Sequence, residues 1–216
     1  MKYRLIVFDW DGTLIDSHSA IVECMQEASR ECGLPIPERS RASHVIGLGL
    51  HDAMRIVAPE LPAHRYPEFI DAYRRHFRAR EDTMQPFPGM RELIGRLGEE
   101  KRTLAIATGK SRRGLDRALE ATGLQPQFSA SRCADETQPK PHPAMLLELM
   151  EDLNFSRPEV LMVGDTSHDL QMAEAAGIHA VAVTYGAHPR EGLLACRPLG
   201  CVASVEELRE WLIGNG

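Results

Sequence analysis

The sequence predicts an α/β fold, a doubly wound, Rossmann-like parallel sheet carrying an inserted α-helical subdomain. Two observations carry that reading. Short continuous apolar runs recur along the chain, most of them followed by a polar turn and then a helical pattern. Such runs suit strands buried on both faces, as in a parallel sheet with helices on either side. The second observation is a break in that rhythm: from about Asp16 to Lys101 the periodicity is helical, with no convincing strand. That stretch is far longer than a strand-to-strand crossover needs.

The first strand is expected at Arg4–Phe8 and the second at Thr103–Thr108. The weakest candidate, Phe128–Ser131, comes third, followed by Val160–Val163 and Ala180–Thr184. Between the first two, Ala20, Ile21, Cys24, Met25, Ala28 and Cys32 form an apolar helical stripe that Gly33 ends. Phe69, Ile70, Tyr73 and Phe77 form another, and Gln85–Gly89 (QPFPG) marks a boundary. Met90–Gly98 then reads as the crossover helix proper. The expected division is therefore a core of residues 1–16 and 85–216 around a helical insertion of 17–84. Helices follow at Ser111–Thr122, Pro143–Leu153 and Asp169–Ala176. A capping box, Ser204-Val-Glu-Glu207, opens a last one reaching Ile213.

Composition narrows the function classes. A net charge of −6 offers no basic footprint for nucleic acid. Five cysteines without CxxC spacing argue against a disulfide framework or a zinc site and fit a reducing compartment. No apolar stretch approaches the length of a membrane span, and the N-terminal run is too short for a signal peptide. The expectation is a cytoplasmic protein without nucleic-acid or membrane partners.

Four features at strand ends carry chemistry. Asp9-Trp10-Asp11-Gly12-Thr13 closes the first strand, where open α/β sheets bind ligands. Side chains at i and i+2 of an extended segment point the same way, so Asp9 and Asp11 can share a pocket. Two carboxylates that close repel unless a cation or a shared proton relieves them, and an oxygen-only site suits Mg²⁺. Thr108-Gly109-Lys110 offers a hydroxyl and backbone N–H groups near a helix start, suited to phosphate oxygens. Lys140, between Pro139 and Pro141, is a fixed point charge on a stiff segment. Asp165 and Asp169 follow the fourth strand. Each feature alone has an ordinary reading as well: solvated turn acids, a strand-to-helix turn, a loop lysine, a helix N-cap.

Taken together and in this order, DWDGT, TGK, KPHP and GDTSHD resemble the four motifs of the haloacid dehalogenase-like (HAD) hydrolases. Within them the chain is most similar to the phosphoglycolate-phosphatase type with a helical cap. The resemblance covers the whole chain and implies sheet order 5-4-1-2-3, with the site between core and cap. It implies a phosphoric monoester hydrolase acting on small phosphorylated metabolites. Asp9 would be the nucleophile and Asp11 the general acid and base. Thr108, the Gly109 N–H and Lys140 would hold the phosphoryl group. Mg²⁺ would be bound by Asp9, the Asp11 backbone carbonyl and Asp165, with Asp169 behind them.

The cap loop Ile46–Asp52 (IGLGLHD) is apolar apart from its end, and reads as a substrate-facing loop or a plain turn. The run Arg74–Arg80 reads as a solvated helix face or a lure for an anionic substrate, His142 and His168 as exposed loop residues, Trp10 as core. A dehalogenase would lack an acid like Asp11, and a phosphonate hydrolase would need a cap lysine, which 17–84 lacks. A hexose-phosphate mutase or a non-catalytic module phosphorylated on aspartate remain the alternatives. Oligomeric state is not legible.

Overall fold

The computed structural model describes residues 2–215, the side chain of Asp82 excepted. Six parallel strands form one sheet: β1 (Leu5–Phe8), β2 (Thr103–Thr108), β3 (Ala130–Cys133), β4 (Val160–Gly164), β5 (His179–Val183) and β6 (Gly200–Val202), in the order β3-β2-β1-β4-β5-β6. Leu5 pairs with Thr103 on one side and Val160 on the other, which puts β1 at the centre.

Alternation sorts its side chains. Ile6 and Phe8 join Leu104, Ile106, Leu161 and Val163 on one face, while Leu5 and Val7 join Ala105, Val160 and Met162 on the other. The first face is covered by α5 (Met90–Glu99), α6 (Arg112–Thr122) and α10 (Val205–Asn215) through Leu93, Leu115 and Leu208. The second is covered by α7 (Ala144–Leu153), α8 (Ser167–Ala176) and α9 (Arg190–Ala195) through Leu146, Leu170 and Leu193. With both faces covered, continuous apolar runs are what the strands require.

Two expectations about strands need correction. The third strand lies at Ala130–Cys133, two residues later than expected, because ASRC is a half-buried edge strand with no apolar run to mark it. The sixth, Gly200–Val202, was not expected; three residues on the far edge carry too little pattern.

The insertion holds α1 (His18–Glu31), α2 (Arg39–His44), α3 (Leu50–Val57) and α4 (Tyr66–Arg78). Helices α2 and α3, six and eight residues long, were also not expected. The α1 and α4 stripes meet through Ile21, Met25, Phe69 and Ile70. Their outer edges are tied by His76 to Glu27 (3.1 Å) and Glu31 (3.0 Å), and by Arg80 to Glu27 (2.8 Å). Part of the Arg74–Arg80 run is thus neither a solvated face nor a lure but a helix–helix clasp. Chain entry and exit lie side by side: Ile15 bridges Pro86 antiparallel, the Asp16 N–H donates to Gln85 O (3.0 Å), and the Phe87 N–H to Leu14 O (3.1 Å).

Candidate active site

Strands β1 and β4, neighbours at the centre of the sheet, each end in an acid, and the two carboxylates meet. Asp9, Asp165 and Asp169 place one oxygen each within 4.8 Å of one another. All three are essentially inaccessible to solvent. Lys140 reaches them from the loop before α7, its Nζ 2.6 Å from Asp9 Oδ1 and 2.6 Å from Asp169 Oδ1. This lysine is 2% exposed, which disposes of the loop-lysine reading.

The acids after β4 have different jobs. Thr166, not either Asp, caps α8: its hydroxyl accepts the Asp169 N–H, and Asp169 Oδ2 accepts the Thr166 N–H (3.0 Å) and hydroxyl (2.7 Å). Asp169 Oδ1 faces Lys140, so both its oxygens are engaged. Asp165 Oδ1 accepts from the Thr13 hydroxyl (2.8 Å) and Oδ2 from the Ala187 N–H (2.7 Å). Gly12 turns with φ +80°, and a Cβ there would sit 2.3 Å from Asp165 Oδ2. Only glycine meets both demands.

Electrostatically the cluster holds three carboxylates against one ammonium. Burial raises the Asp9 pKa well above the ordinary carboxylate value, although Lys140 opposes the shift. Burial, then the neighbouring Asp169, pushes Asp165 up to about 7. Burial alone would lower the Lys140 pKa, but Asp169 and Asp9 outweigh it and raise it. Asp9 Oδ2 has no hydrogen-bond partner among the described residues. An orphaned buried carboxylate oxygen in an all-oxygen, acid-rich cluster fits a hard divalent cation.

Above the cluster a cleft of about 550 Å³ opens between sheet and insertion. Asp9, Asp11 and Gly109 line it from below, and Ile46–Leu50, Tyr73 and Phe77 from above. Thr108 is fully buried at the end of β2, its hydroxyl accepting the Lys110 N–H (3.2 Å), and does not line the cleft. Asp11 Oδ1 accepts from the Ser17 hydroxyl (2.8 Å), and Oδ2 lies 3.1 Å from Lys110 Nζ.

The loop between α2 and α3 turns the chain and lines the cleft. It is seated on the core: a Cβ on Gly109 would come within 2.6 Å of Gly47 O and Leu48 O. Beside it, His168 and His188 share one acceptor, His44 O, at 2.8 and 3.1 Å. His168 is therefore a buried helix residue, not an exposed loop one, because its imidazole satisfies a carbonyl at the end of α2. His142 is exposed, and Trp10 is buried in the core. Arg74 and Arg78 face the cleft, unlike their clasped neighbours.

Of the residues singled out in the sequence, Asp9, Lys140, Asp165 and Asp169 come together directly, with Asp11, Thr108 and Gly109 around them. Thr13, Ser17 and Lys110 were missed as site residues. Thr13 and Lys110 stood inside motifs already noticed, whereas Ser17 carried no local signal.

Comparison with known proteins identifies the family. Residues 6–183 match the model of the haloacid dehalogenase-like hydrolases. The chain is 37% identical over 209 residues to the protein named "Probable phosphatase IndB" of Dickeya dadantii, covering 94% of this chain and 91% of the relative. It is 30% identical over 204 residues to a phosphoglycolate phosphatase of Aliivibrio fischeri, covering 90% of each. Among solved structures, a hydrolase from Pseudomonas syringae superposes with a TM-score of 0.88 over the whole of both chains at 20% identity, a likeness of fold. The chain belongs to the haloacid dehalogenase-like hydrolases.

Proposed function

We propose that this enzyme is a Mg²⁺-dependent phosphatase of small phosphomonoesters that works through an aspartyl-phosphate on Asp9. The observation that carries the reading is the position of Asp9. It lies at the bottom of the cleft with one free carboxylate oxygen, backed by Lys140 and flanked by Asp11. The family relationship and the phosphatases among its relatives support the same class.

In this reading a carboxylate oxygen of Asp9 attacks phosphorus as the bond to the leaving oxygen breaks. Asp11 gives its proton to the departing alkoxide, then takes one from the water that attacks the phospho-aspartate, returning Asp9 and inorganic phosphate. Gly109 N–H holds a phosphoryl oxygen, Thr108 beneath it shapes that turn through its hydroxyl, and Lys140 offsets charge shared between Asp9 and the phosphoryl group. Asp9, the Asp11 carbonyl and Asp165 would hold Mg²⁺, which neutralises phosphoryl charge when bound. Asp169, with both oxygens engaged, positions Lys140. We assign residues 1–16 and 85–216 to the catalytic core and 17–84 to the cap.

The cleft volume falls within the ~300–1,000 Å³ of pockets for drug-sized ligands, so sugar and nucleotide phosphates fit the space as well as phosphoglycolate does. Its upper wall is mostly apolar, Arg74 and Arg78 apart, and apolar walls select by size and shape at only about 1–3 kcal/mol per methylene. Broad specificity follows. The test is turnover of p-nitrophenyl phosphate and a panel of phosphate esters, with Mg²⁺ and with EDTA. Mg²⁺-dependent release of phosphate is expected, and no turnover of any ester overturns the reading. A module phosphorylated on Asp9 without turnover is the outcome that would take its place.

A further inference from the structure

Lys110 holds two partners on opposite sides of the cleft. Its Nζ lies 3.1 Å from Asp11 Oδ2, on the core, and 4.3 Å from the centroid of the Phe77 ring, on α4 of the insertion. The surroundings are largely dry: the side chains of Lys110 and Asp11 are 10% and 13% exposed, and Phe77 is buried. In such a setting an ammonium is drawn both to a carboxylate and to the face of an aromatic ring. Lys110 also walls off a second, smaller cavity of about 150 Å³ lined by Trp10, Ile15, Phe77 and Met84. Beside it in the chain, Gly109 is pressed under the Gly47 and Leu48 carbonyls. The other oxygen of Asp11 is held by Ser17, just before α1. Both oxygens of this acid are therefore fixed by groups whose positions depend on how the insertion sits on the core.

We propose that Lys110 is a positioning residue that couples closure of the cap to the aim of Asp11, through its shared contact with Phe77. This rests on the assignment of Asp11 as general acid and base. With α4 seated, Phe77 holds the ammonium where it orients the Asp11 carboxylate. With α4 lifted, the ammonium loses its ring, and Asp11 loses its fixed direction. Proton transfer is then efficient only over a covered substrate, which keeps the phospho-aspartate from being attacked before the cleft has closed. A direct phosphate-binding role for Lys110 makes a different prediction, because it would act on substrate binding and on all esters alike.

The experiment compares Lys110→Met, Lys110→Arg, Phe77→Leu and the Lys110→Met/Phe77→Leu double variant, using p-nitrophenyl phosphate and glycerol 3-phosphate. For Lys110→Met, kcat/KM on glycerol 3-phosphate, which reports the step that expels the alkoxide, should fall about 10²-fold, near the lower end of what a general acid supplies. On p-nitrophenyl phosphate, whose leaving group needs little protonation, the fall should stay under about fivefold. KM should not rise for either ester, because no contact with the bound substrate is removed. Lys110→Arg keeps a cation for both partners and should restore both rates to within about threefold.

Phe77→Leu should show the same ester dependence at smaller size, and add nothing in the Lys110→Met background. Hydrogen exchange of the amides of 66–78 should quicken in Lys110→Met and Phe77→Leu but not in Lys110→Arg. Equal losses on the two esters with a raised KM would overturn the proposal, as would full additivity or unchanged exchange. If the unsubstituted protein turned over neither ester, the phosphatase reading would fall, and the exchange pattern alone would decide whether Lys110 latches the cap.

Discussion

The floor and the roof of the cleft are built on opposite principles. The floor is charged and sealed: Asp9, Asp165, Asp169 and Lys140 are at most 2% exposed and arrive from two strand ends, one helix and one loop. The roof is mostly apolar, made by Ile46, Leu48, Tyr73 and Phe77 with Arg74 and Arg78 beside them, and it meets the core through backbone carbonyls and Lys110. Among the described residues Lys140 is the one cation beside the floor's three acids. Removing it would leave buried carboxylates uncompensated at about 3–5 kcal/mol, whereas neutralising one acid leaves the lysine still paired. Apolar walls of similar volume exchange for about 1.5 kcal/mol or less. The contrast teaches where change is permitted: chemistry is fixed below, and selection is adjustable above.

The largest expected effect breaks the floor. Asp9→Asn should abolish turnover while circular dichroism and the melting transition stay native-like, because the amide keeps the shape but cannot form the acyl phosphate. Substantial phosphatase activity in that folded variant would remove Asp9 as nucleophile.

Next comes Asp11→Asn, at the boundary between floor and roof. Alkyl phosphates should lose about 10²–10⁴-fold in kcat/KM, which reports the step that expels the leaving group, and p-nitrophenyl phosphate much less. Equal losses would show that Asp11 is not the acid.

A third test reads the floor's charge imbalance without activity. Burial raises the Asp165 pKa from its ordinary value of about 4 up to about 7, so the metal-free fold takes up a proton there. Its contribution favours folding below about pH 4 and is lost as pH rises through about 7. A divalent cation competes with that proton, so the rise in Tm on adding Mg²⁺ should be larger at pH 8 than at pH 5.5. A larger rise at the lower pH would contradict the metal assignment.

The smallest effect belongs to the roof. Gly49 has an ordinary φ of −61°, and a Cβ there would meet Ala134 and Pro139 side chains at 3.3 and 3.6 Å. With its fold checked by circular dichroism, Gly49→Arg should re-rank the esters within a panel and leave the Mg²⁺ requirement unchanged. An identical ranking would mean that the loop does not reach substrates.

This division also explains what could be read from the sequence. Strands buried on both faces announce themselves as apolar runs, so β1, β2 and β4 were plain, while β3 and β6, at the sheet edges, were not. The acids and Lys140 stood in short strings at strand ends, where chain-local pattern and site coincide. What decides the rest is contact between distant segments. Nothing near His168 in the chain announces that it serves a carbonyl at His44, 124 positions away. Nor does the Arg74–Arg80 run say which of its cations face Glu27 and Glu31 and which face the cleft. Short helices such as α2 lack the length over which a period can be seen.

The paired crossing at Ile15 and Pro86 has a consequence for descent. Because the outgoing and returning segments are already joined there, the size of what lies between them reaches the core only through the entropy of closing a loop. That cost grows with the logarithm of length, about 0.6 kcal/mol for each doubling. A lineage can lengthen, shorten or replace the intervening helices while Asp9, Lys140, Asp165 and Asp169 stay where they are, held by the core alone. One set of strand ends can then serve many substrates in turn, each new preference arising as an exchange of the guest between two fixed posts.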